Sequence, residues 1–174
     1  MGHSLIAGYG EVGRALAEVL KPRHYVSFVD LKGESVPWRP VVEASVDVLH
    51  ICFPYSESFE GAVRIYQNAF HPLYTVIHST VPVGTSSRLG AHHSPVRGMH
   101  PRLVESLRTF ITYLAPGDAY LVHYFGEVGM KVMQVGKPEE TEAGKLWELA
   151  AYAWSIVLEK EMHRYCQENG LDFA

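Results

Sequence analysis

The chain has 174 residues, 47% of them hydrophobic and 20% charged, with a formal net charge of −4. These are globular values that exclude an extended disordered protein, and the acidic balance argues against a nucleic-acid-coating or basic membrane-surface protein. A chain of this length buries roughly 70% of its unfolded surface, enough for a core without metal or disulfide staples.

Apolar runs alternate with helix-period segments from the start. Leu5, Ile6 and Ala7 predict a strand before a glycine turn. Val12, Ala15, Leu16, Val19 and Leu20 then recur at amphipathic-helix spacing, stopped before Pro22. Residues 25–29 predict a second strand ending at Asp30, and 31–43, with Gly33, Pro37 and Pro40, a connection. The continuous apolar run 46–53 predicts a strand covered on both faces. A helix over 57–68, a strand over 75–78 and a short helix over 85–89 follow. Weaker strand patterns occupy 96–99 and 111–114, then come a helix over 118–127 and a strand over 131–135. This alternation predicts an α/β fold with a doubly wound, mostly parallel Rossmann sheet. The expected division is a dinucleotide-binding domain over 1–136 and a long C-terminal helix over 137–174.

No proline or strand pattern interrupts 139–169, and Gly170 supplies a C-terminal stop. At 1.5 Å per residue such a helix runs about 45 Å. Its middle, LWELAAYAWSIVL, is apolar on nearly every face. One face is expected to lie across the sheet and the other to pack on a second copy, giving a homodimer through 139–169.

Two cysteines, Cys52 and Cys166, are too few for a disulfide framework, so a reducing, cytoplasmic setting is expected. The start MGHSLIAGYGEVG is unlike a signal peptide, and the uncharged stretch 68–87 is broken by Pro72, Pro82 and Gly84. No membrane or nucleic-acid partner is expected. The ten histidines show no ligand spacing, and His92-His93 reads as an adjacent pair in a connection, so no metal site is assigned.

The sharpest motif is Gly8-Tyr9-Gly10-Glu11-Val12-Gly13, a G-x-G-x-x-G between a strand and a helix. The first glycine allows the tight turn, the second lets backbone approach a diphosphate, and the third lets the helix sit close to the sheet. Free amides and the helix dipole then favour the anion. Asp30 lies 17 residues past Gly13, near the spacing of about 20 at which an acid accepts hydrogen bonds from the adenosine ribose. A carboxylate there repels a 2′-phosphate, which favours NAD over NADP, although neighbouring Lys32 softens that preference. A structural turn binding no nucleotide is the alternative.

The fingerprint, the block HSTVPVGTSSRL, the segment SPVRGMHP and the helix beginning TEAGKLWELA occur in a familiar order. The chain resembles the N-terminal NAD-binding domain plus central helix of the UDP-glucose/GDP-mannose (nucleotide-sugar) dehydrogenases, and more distantly the 6-phosphogluconate/β-hydroxyacid dehydrogenases. The resemblance covers the front half of a family member and implies a cofactor site of Gly8, Gly10, Glu11, Val12, Gly13, Asp30, Leu31, Phe53, Pro54 and Tyr55. It places Ser79 and Thr80 near the nicotinamide, although a hydroxyl-rich helix approach with Thr85 as cap accounts for them equally. Lys145 matches a lysine beside the substrate, where it would stabilise an alkoxide or exchange its proton. A plain surface lysine is the alternative.

Departures accompany these matches. Leu149 and Lys160, the latter before Glu161, stand where the family carries asparagines, and Val96 replaces an acid after Ser-Pro. The thiol-bearing domain would begin after Ala174 and is expected to be absent, and Cys52 and Cys166 read as structural thiols. Arg97, His100 and Arg102 cluster after a predicted strand and are tentative receivers of a substrate phosphate or carboxylate. The alternative is a solvated turn. Two readings follow: a two-electron oxidoreductase acting on an alcohol carbon, or a dinucleotide-binding module or subunit whose site needs a second chain.

Overall fold

The first apolar run forms β1 (His3–Ala7), buried along its whole length and flanked on both sides by parallel partners. A computed structural model describes residues 2–30, 45–99 and 101–173. On one side of β1 lies β2 (Tyr25–Val29), and on the other β3 (Val48–Ile51), β4 (Tyr74–Ile77) and β5 (His92–His93) follow. The order is β2-β1-β3-β4-β5, with every pair parallel. Helices α1 (Glu11–Leu20), α2 (Phe59–Phe70) and α3 (Thr85–Arg88) make the crossovers. A second sheet pairs β6 (Ile111–Leu114) with β7 (Lys131–Gln134), also parallel. It joins the first through an antiparallel bridge, in which the Ala115 N–H reaches the His93 carbonyl at 3.0 Å.

Two apolar clusters cover the two faces of the sheet, because alternate strand residues point opposite ways. Ile6, Val48 and Val76 pack with Leu16 and Leu20 of α1, and with Leu103 and Leu107 of α4 (Leu103–Thr109). Leu121 and Phe125 of α5 (Ala119–Gly126) belong to the same cluster. On the opposite face Leu5, Leu49, Ile51 and Ile77 meet Phe59 and Val63 of α2. Asp118 caps α5 by accepting the N–H groups of Tyr120 at 2.8 Å and Leu121 at 3.1 Å.

Inside the first cluster runs a polar chain. The Ser4 hydroxyl lies 2.6 Å from Tyr124 Oη, Tyr124 Oη 2.8 Å from His50 Nε2, and His50 Nδ1 2.9 Å from His78 Nε2. His78 Nδ1 meets the Ser94 carbonyl at 2.8 Å. A carbonyl only accepts, so His78 carries its proton on Nδ1 and its Nε2 accepts from His50 Nδ1–H. His50 Nε2 then accepts from Tyr124, and Tyr124 from Ser4. Burial holds His50 well below the ordinary histidine range, with neighbouring His78 and His24 adding to the shift, and burial brings His78 down to about 4.

Three expectations need correction. Residues 96–99 form no strand. His92 and His93 are the strand instead of a connection, and Pro95, lacking an N–H, breaks the ladder just beyond them. Residues 103–109, given no element above, are the helix α4, which packs on α1.

The third concerns α6 (Pro138–Glu168), which begins with Pro138 at its first turn and with the Glu140 carboxylate accepting the Lys137 N–H at 3.3 Å. It ends as expected at Gly170, whose φ of 63° is left-handed, with the Leu171 N–H on the Cys166 carbonyl at 2.9 Å. Its buried residues, Pro138, Thr141 and Glu142, lie in the first two turns, and the helix packs against α3, β5 and β6. The expected face across the sheet does not exist. Trp147 is 76% exposed and Trp154 71%, and Leu149, Tyr152, Val157, Leu158, Met162 and Tyr165 are exposed with them. Both sheet faces already carry their own helices, so the middle of α6 has no sheet to lie on.

Residues 31–44 and His100 lie outside the described residues, and with them the connection over 31–43 and the site assignments at Leu31, Lys32 and His100. Among the described residues, no helix is long and apolar enough to cross a membrane.

Candidate functional site

Gly8 sits where the carboxyl ends of three strands meet. Its own N–H reaches the Val29 carbonyl at 2.9 Å, and the Cys52 N–H reaches the Ala7 carbonyl at 2.8 Å. At φ +93° a Cβ on Gly8 would stand 2.7 Å from the Phe53 nitrogen, and one on Gly13 would stand 2.1 Å from the Gly8 carbonyl oxygen. Those two glycines are therefore required by the fold. Gly10 differs: a Cβ there would meet nothing within 4 Å. It occupies the N-cap of α1. Among the described residues no side chain caps the start of α1, which lies at the point where the strand order reverses, the position at which open α/β sheets bind ligands.

The carboxylate of Asp30 belongs to this turn. Its Oδ2 accepts the Tyr9 N–H at 3.0 Å, which aims the acid ending β2 at the glycine turn. The Tyr9 ring stacks on Phe28 at 3.7 Å, and Arg14 donates from Nε to the Tyr9 carbonyl at 3.0 Å. Glu11 is exposed in the first turn of α1, and half-buried Val12 packs on the core below it. Phe53, Pro54 and Tyr55 leave β3 on the same side, the Phe53 and Tyr55 rings standing 5.0 and 5.3 Å from Phe59. The chain thus brings Gly8, Gly13 and Phe53 into contact and turns Asp30 onto the loop that carries Gly10, Glu11 and Val12, while Pro54 and Tyr55 follow Phe53 out of β3. Cys52 is half-buried, and desolvation pushes its thiol up and leaves it un-ionised, as a structural thiol requires.

Ser79 and Thr80 follow β4, both half-buried. The Ser79 hydroxyl donates to the Phe53 carbonyl at 2.6 Å, tying the two strand exits together. Thr85 does not cap α3: its hydroxyl donates to the Pro82 carbonyl at 2.6 Å, and Gly84 is the N-cap. The α3 amides are met from across the fold by Glu142, whose carboxylate takes the N–H groups of Gly84 and Ser86. His93 reaches the Ser79 carbonyl from Nε2 at 3.2 Å and Thr141 Oγ1 from Nδ1 at 2.8 Å. Neither Glu142 nor His93 was singled out from sequence. Glu142 sits in an acidic helix start that the helix dipole already explains.

One turn beyond Thr141, Lys145 faces a cavity of about 360 Å³ walled by Pro95, Arg97, Tyr113, Val135 and Gly144. Arg97 is thus brought to Lys145 across 48 residues of sequence. Both touch Glu148: Arg97 Nε at 3.1 Å and Lys145 Nζ at 3.3 Å. The Arg97 guanidinium also lies over the Tyr113 ring, 5.5 Å from its centroid. Arg102 is not part of this group; it is exposed at the N-cap of α4, outside the cavity. Val96, in the place of the family's acid, packs against the core, and Leu149 is exposed on α6.

No protein-family model matches the chain, and no curated protein matches it in sequence. Solved structures do match. UDP-D-ManNAc dehydrogenase from Pyrococcus horikoshii superposes with a TM-score of 0.79 at 16% identity, over 97% of this chain and 55% of that one. A reductive aminase from Aspergillus terreus, in complex with NADPH and ethyl levulinate, gives 0.70 at 14% identity, over 99% of this chain and 68% of that one. The 3-hydroxyacyl-CoA dehydrogenase from Archaeoglobus fulgidus gives 0.60 at 12% identity, over 90% of this chain and 64% of that one. The chain therefore spans about half to two thirds of the length of these enzymes. At such identities the likeness is one of fold: a doubly wound parallel Rossmann sheet followed by a long helix, as in these dehydrogenases and reductases.

Proposed function

We propose that the chain is an NAD-binding oxidoreductase that removes two electrons from an alcohol carbon, related to the nucleotide-sugar dehydrogenases. The observation that carries this is the open, uncapped start of α1 at Gly10, with the Asp30 carboxylate turned onto the same loop. The first-turn amides of α1 bind the diphosphate, Asp30 holds the adenosine ribose and repels a 2′-phosphate, and Phe53, Pro54 and Tyr55 flank the cofactor. When bound, the nicotinamide supplies the hydride acceptor. Ser79 and Thr80 orient the reacting end from the exit of β4. The Lys145 ammonium stabilises the negative charge that develops on the hydroxyl oxygen as its proton passes to solvent and the hydride to the nicotinamide.

The partner of α6 is a second copy of this chain, packed along 139–169. The apolar circumference of the helix, exposed from Leu146 onward, supports that reading. Two free cysteines suit a reducing cytoplasm.

Calorimetry with NAD and NADH tests the cofactor site. Wild type binds; Gly10→Val and Asp30→Ala fold normally and bind at least tenfold more weakly, because their changes face the ligand. Gly13→Ala loses fold and binding together, since its new Cβ collides with the Gly8 carbonyl. No binding by wild type, or equal binding by all folded variants, overturns the site. Binding without NADH formation from any sugar nucleotide or hydroxyacid would make the chain a dinucleotide-binding module.

A further inference from the structure

We infer that His93 is a positioning residue of the proposed cofactor site: its ring sets the plane of the Ser79–Thr80 peptide, and with it the backbone donor that meets the nicotinamide half of the dinucleotide. The inference rests on the proposed function for the identity of the ligand. It goes beyond that reading in making one half of the ligand depend on a residue outside the glycine turn.

The His93 ring is wholly buried, so it acts through what it holds. Its backbone is fixed from both sides. β4 pairs with it on one, and on the other its N–H meets the Ala115 carbonyl at 2.6 Å while the Ala115 N–H meets its own carbonyl at 3.0 Å. From that fixed point Nε2 lies 3.2 Å from the Ser79 carbonyl oxygen. The Ser79–Thr80 peptide is trans, and in a planar trans peptide the C=O and N–H point opposite ways. With the Ser79 oxygen turned in to His93, the Thr80 N–H is turned away from it. Among the described residues no atom accepts that N–H. The Ser79 hydroxyl is already given to the Phe53 carbonyl at 2.6 Å, so the loop meets a ligand with its backbone and with Thr80. An acceptor oxygen on the nicotinamide half is the partner that the Thr80 N–H lacks.

Proton counting makes the Ser79 bond conditional. Burial holds His93 below the ordinary histidine range, with Lys145 adding to the shift and the Ser79 carbonyl and the Glu142 carboxylate opposing it. The neutral ring has one proton to give. Carried on Nε2, it goes to the Ser79 carbonyl, and Nδ1 accepts the Thr141 hydroxyl at 2.8 Å. Carried on Nδ1, it goes to Thr141 Oγ1, whose own proton passes to the Pro138 carbonyl at 2.9 Å, and Nε2 then faces the Ser79 oxygen lone pair to lone pair. Only the first form holds the peptide plane. A ligand seated on the Thr80 N–H therefore selects that form, because coupling between two equilibria is reciprocal.

NAD and ADP are titrated by calorimetry into wild type, His93→Gln and His93→Asn at neutral pH. ADP carries the adenosine and the diphosphate but neither the nicotinamide nor its ribose. The ratio of the two affinities therefore isolates the half that His93 governs, and ADP binding alone reports that each variant is folded. The glutamine amide nitrogen stands where Nε2 stood and still donates to Ser79, so His93→Gln keeps the wild-type ratio. His93→Asn, one carbon shorter, keeps ADP but loses about fivefold in NAD affinity, the worth of one neutral hydrogen bond. Equal ratios in all three proteins, or an equal loss in both variants, overturn the inference, the second because it makes ring packing the cause. A wild type that gains nothing from the nicotinamide half overturns it too, and leaves the glycine turn as a diphosphate site. A wild type that binds neither ligand removes the cofactor reading, and this inference with it. A variant that loses ADP as well has lost its fold, and the wild-type ring then decides. In the NAD complex, nitrogen-edited NMR spectra show His93 protonated on Nε2 alone; an Nδ1-protonated or mixed ring there overturns the inference.

Discussion

Glu142, wholly buried at the start of α6, accepts the Ser86 N–H at 2.8 Å and so holds together two helices 56 residues apart in sequence. The same carboxylate takes the Gly84 N–H at 2.5 Å. Charge-assisted bonds of this kind, lost from a buried site, leave two amides without acceptors. Glu142→Ala is expected to destabilise the fold by about 3 kcal/mol, and Glu142→Gln by less, since its amide oxygen still accepts. Urea midpoints of the three proteins check this, and equal midpoints would remove Glu142 as the fastener of α6.

Acid should weaken the core before most carboxylates titrate. His50 and His78 are held below the ordinary value of 6.5 by burial, His78 at about 4, and burial also lowers His24 and His93. Below pH 6.5 the unfolded chain takes up protons at these histidines while the folded chain does not. Stability is therefore complete above 6.5 and falls as the pH drops, until the folded groups themselves protonate, His78 near 4. His78 alone accounts for roughly 3 kcal/mol across that window. Urea midpoints at pH 7.0, 6.0 and 5.0 should decline steadily, and the decline should be shallower in His50→Phe. A flat profile would contradict the neutral tautomer chain from Ser4 to Ser94.

The outer turns of α6 offer a separable test. Trp154 and Leu158 lie one turn apart and are exposed in the single chain, so charging them leaves the isolated fold intact. In a dimer they are buried aromatic and aliphatic anchors. Sedimentation of wild type is expected to give about twice 19.5 kDa, and Trp154→Glu with Leu158→Glu a 19.5 kDa species of unchanged far-ultraviolet circular dichroism. A monomeric wild type would end the second-copy reading.

Periodicity made most of the architecture legible. Alternating strands and helices announced a parallel doubly wound sheet because each crossover must bury one face, and Gly170 marked the end of α6 through its left-handed turn. The glycine turn was equally readable, since Gly8 and Gly13 serve contacts that no other residue fits. What escaped was set by partners distant in sequence. The two-residue strand at His92 and His93 exists only because β4 lies beside it, and Pro95 ends it. Glu142 follows two other acids, Glu139 and Glu140, at the start of α6, and only tertiary structure brings the α3 amides to it. Lys145 and Arg97 were each legible as candidates, but nothing in sequence indicated that Glu148 bridges them.

A rod of 31 residues whose buried positions, among the described residues, all lie at its base is a lever. Its length is about 45 Å, and its fulcrum is the small group of bonds from Glu142 to Gly84 and Ser86 and from Thr141 through His93 to Ser79. Whatever grips the far end fixes the tilt of the whole rod. Those bonds end at the Ser79 carbonyl, so the base of the rod and the loop that follows β4 are fastened to the same histidine.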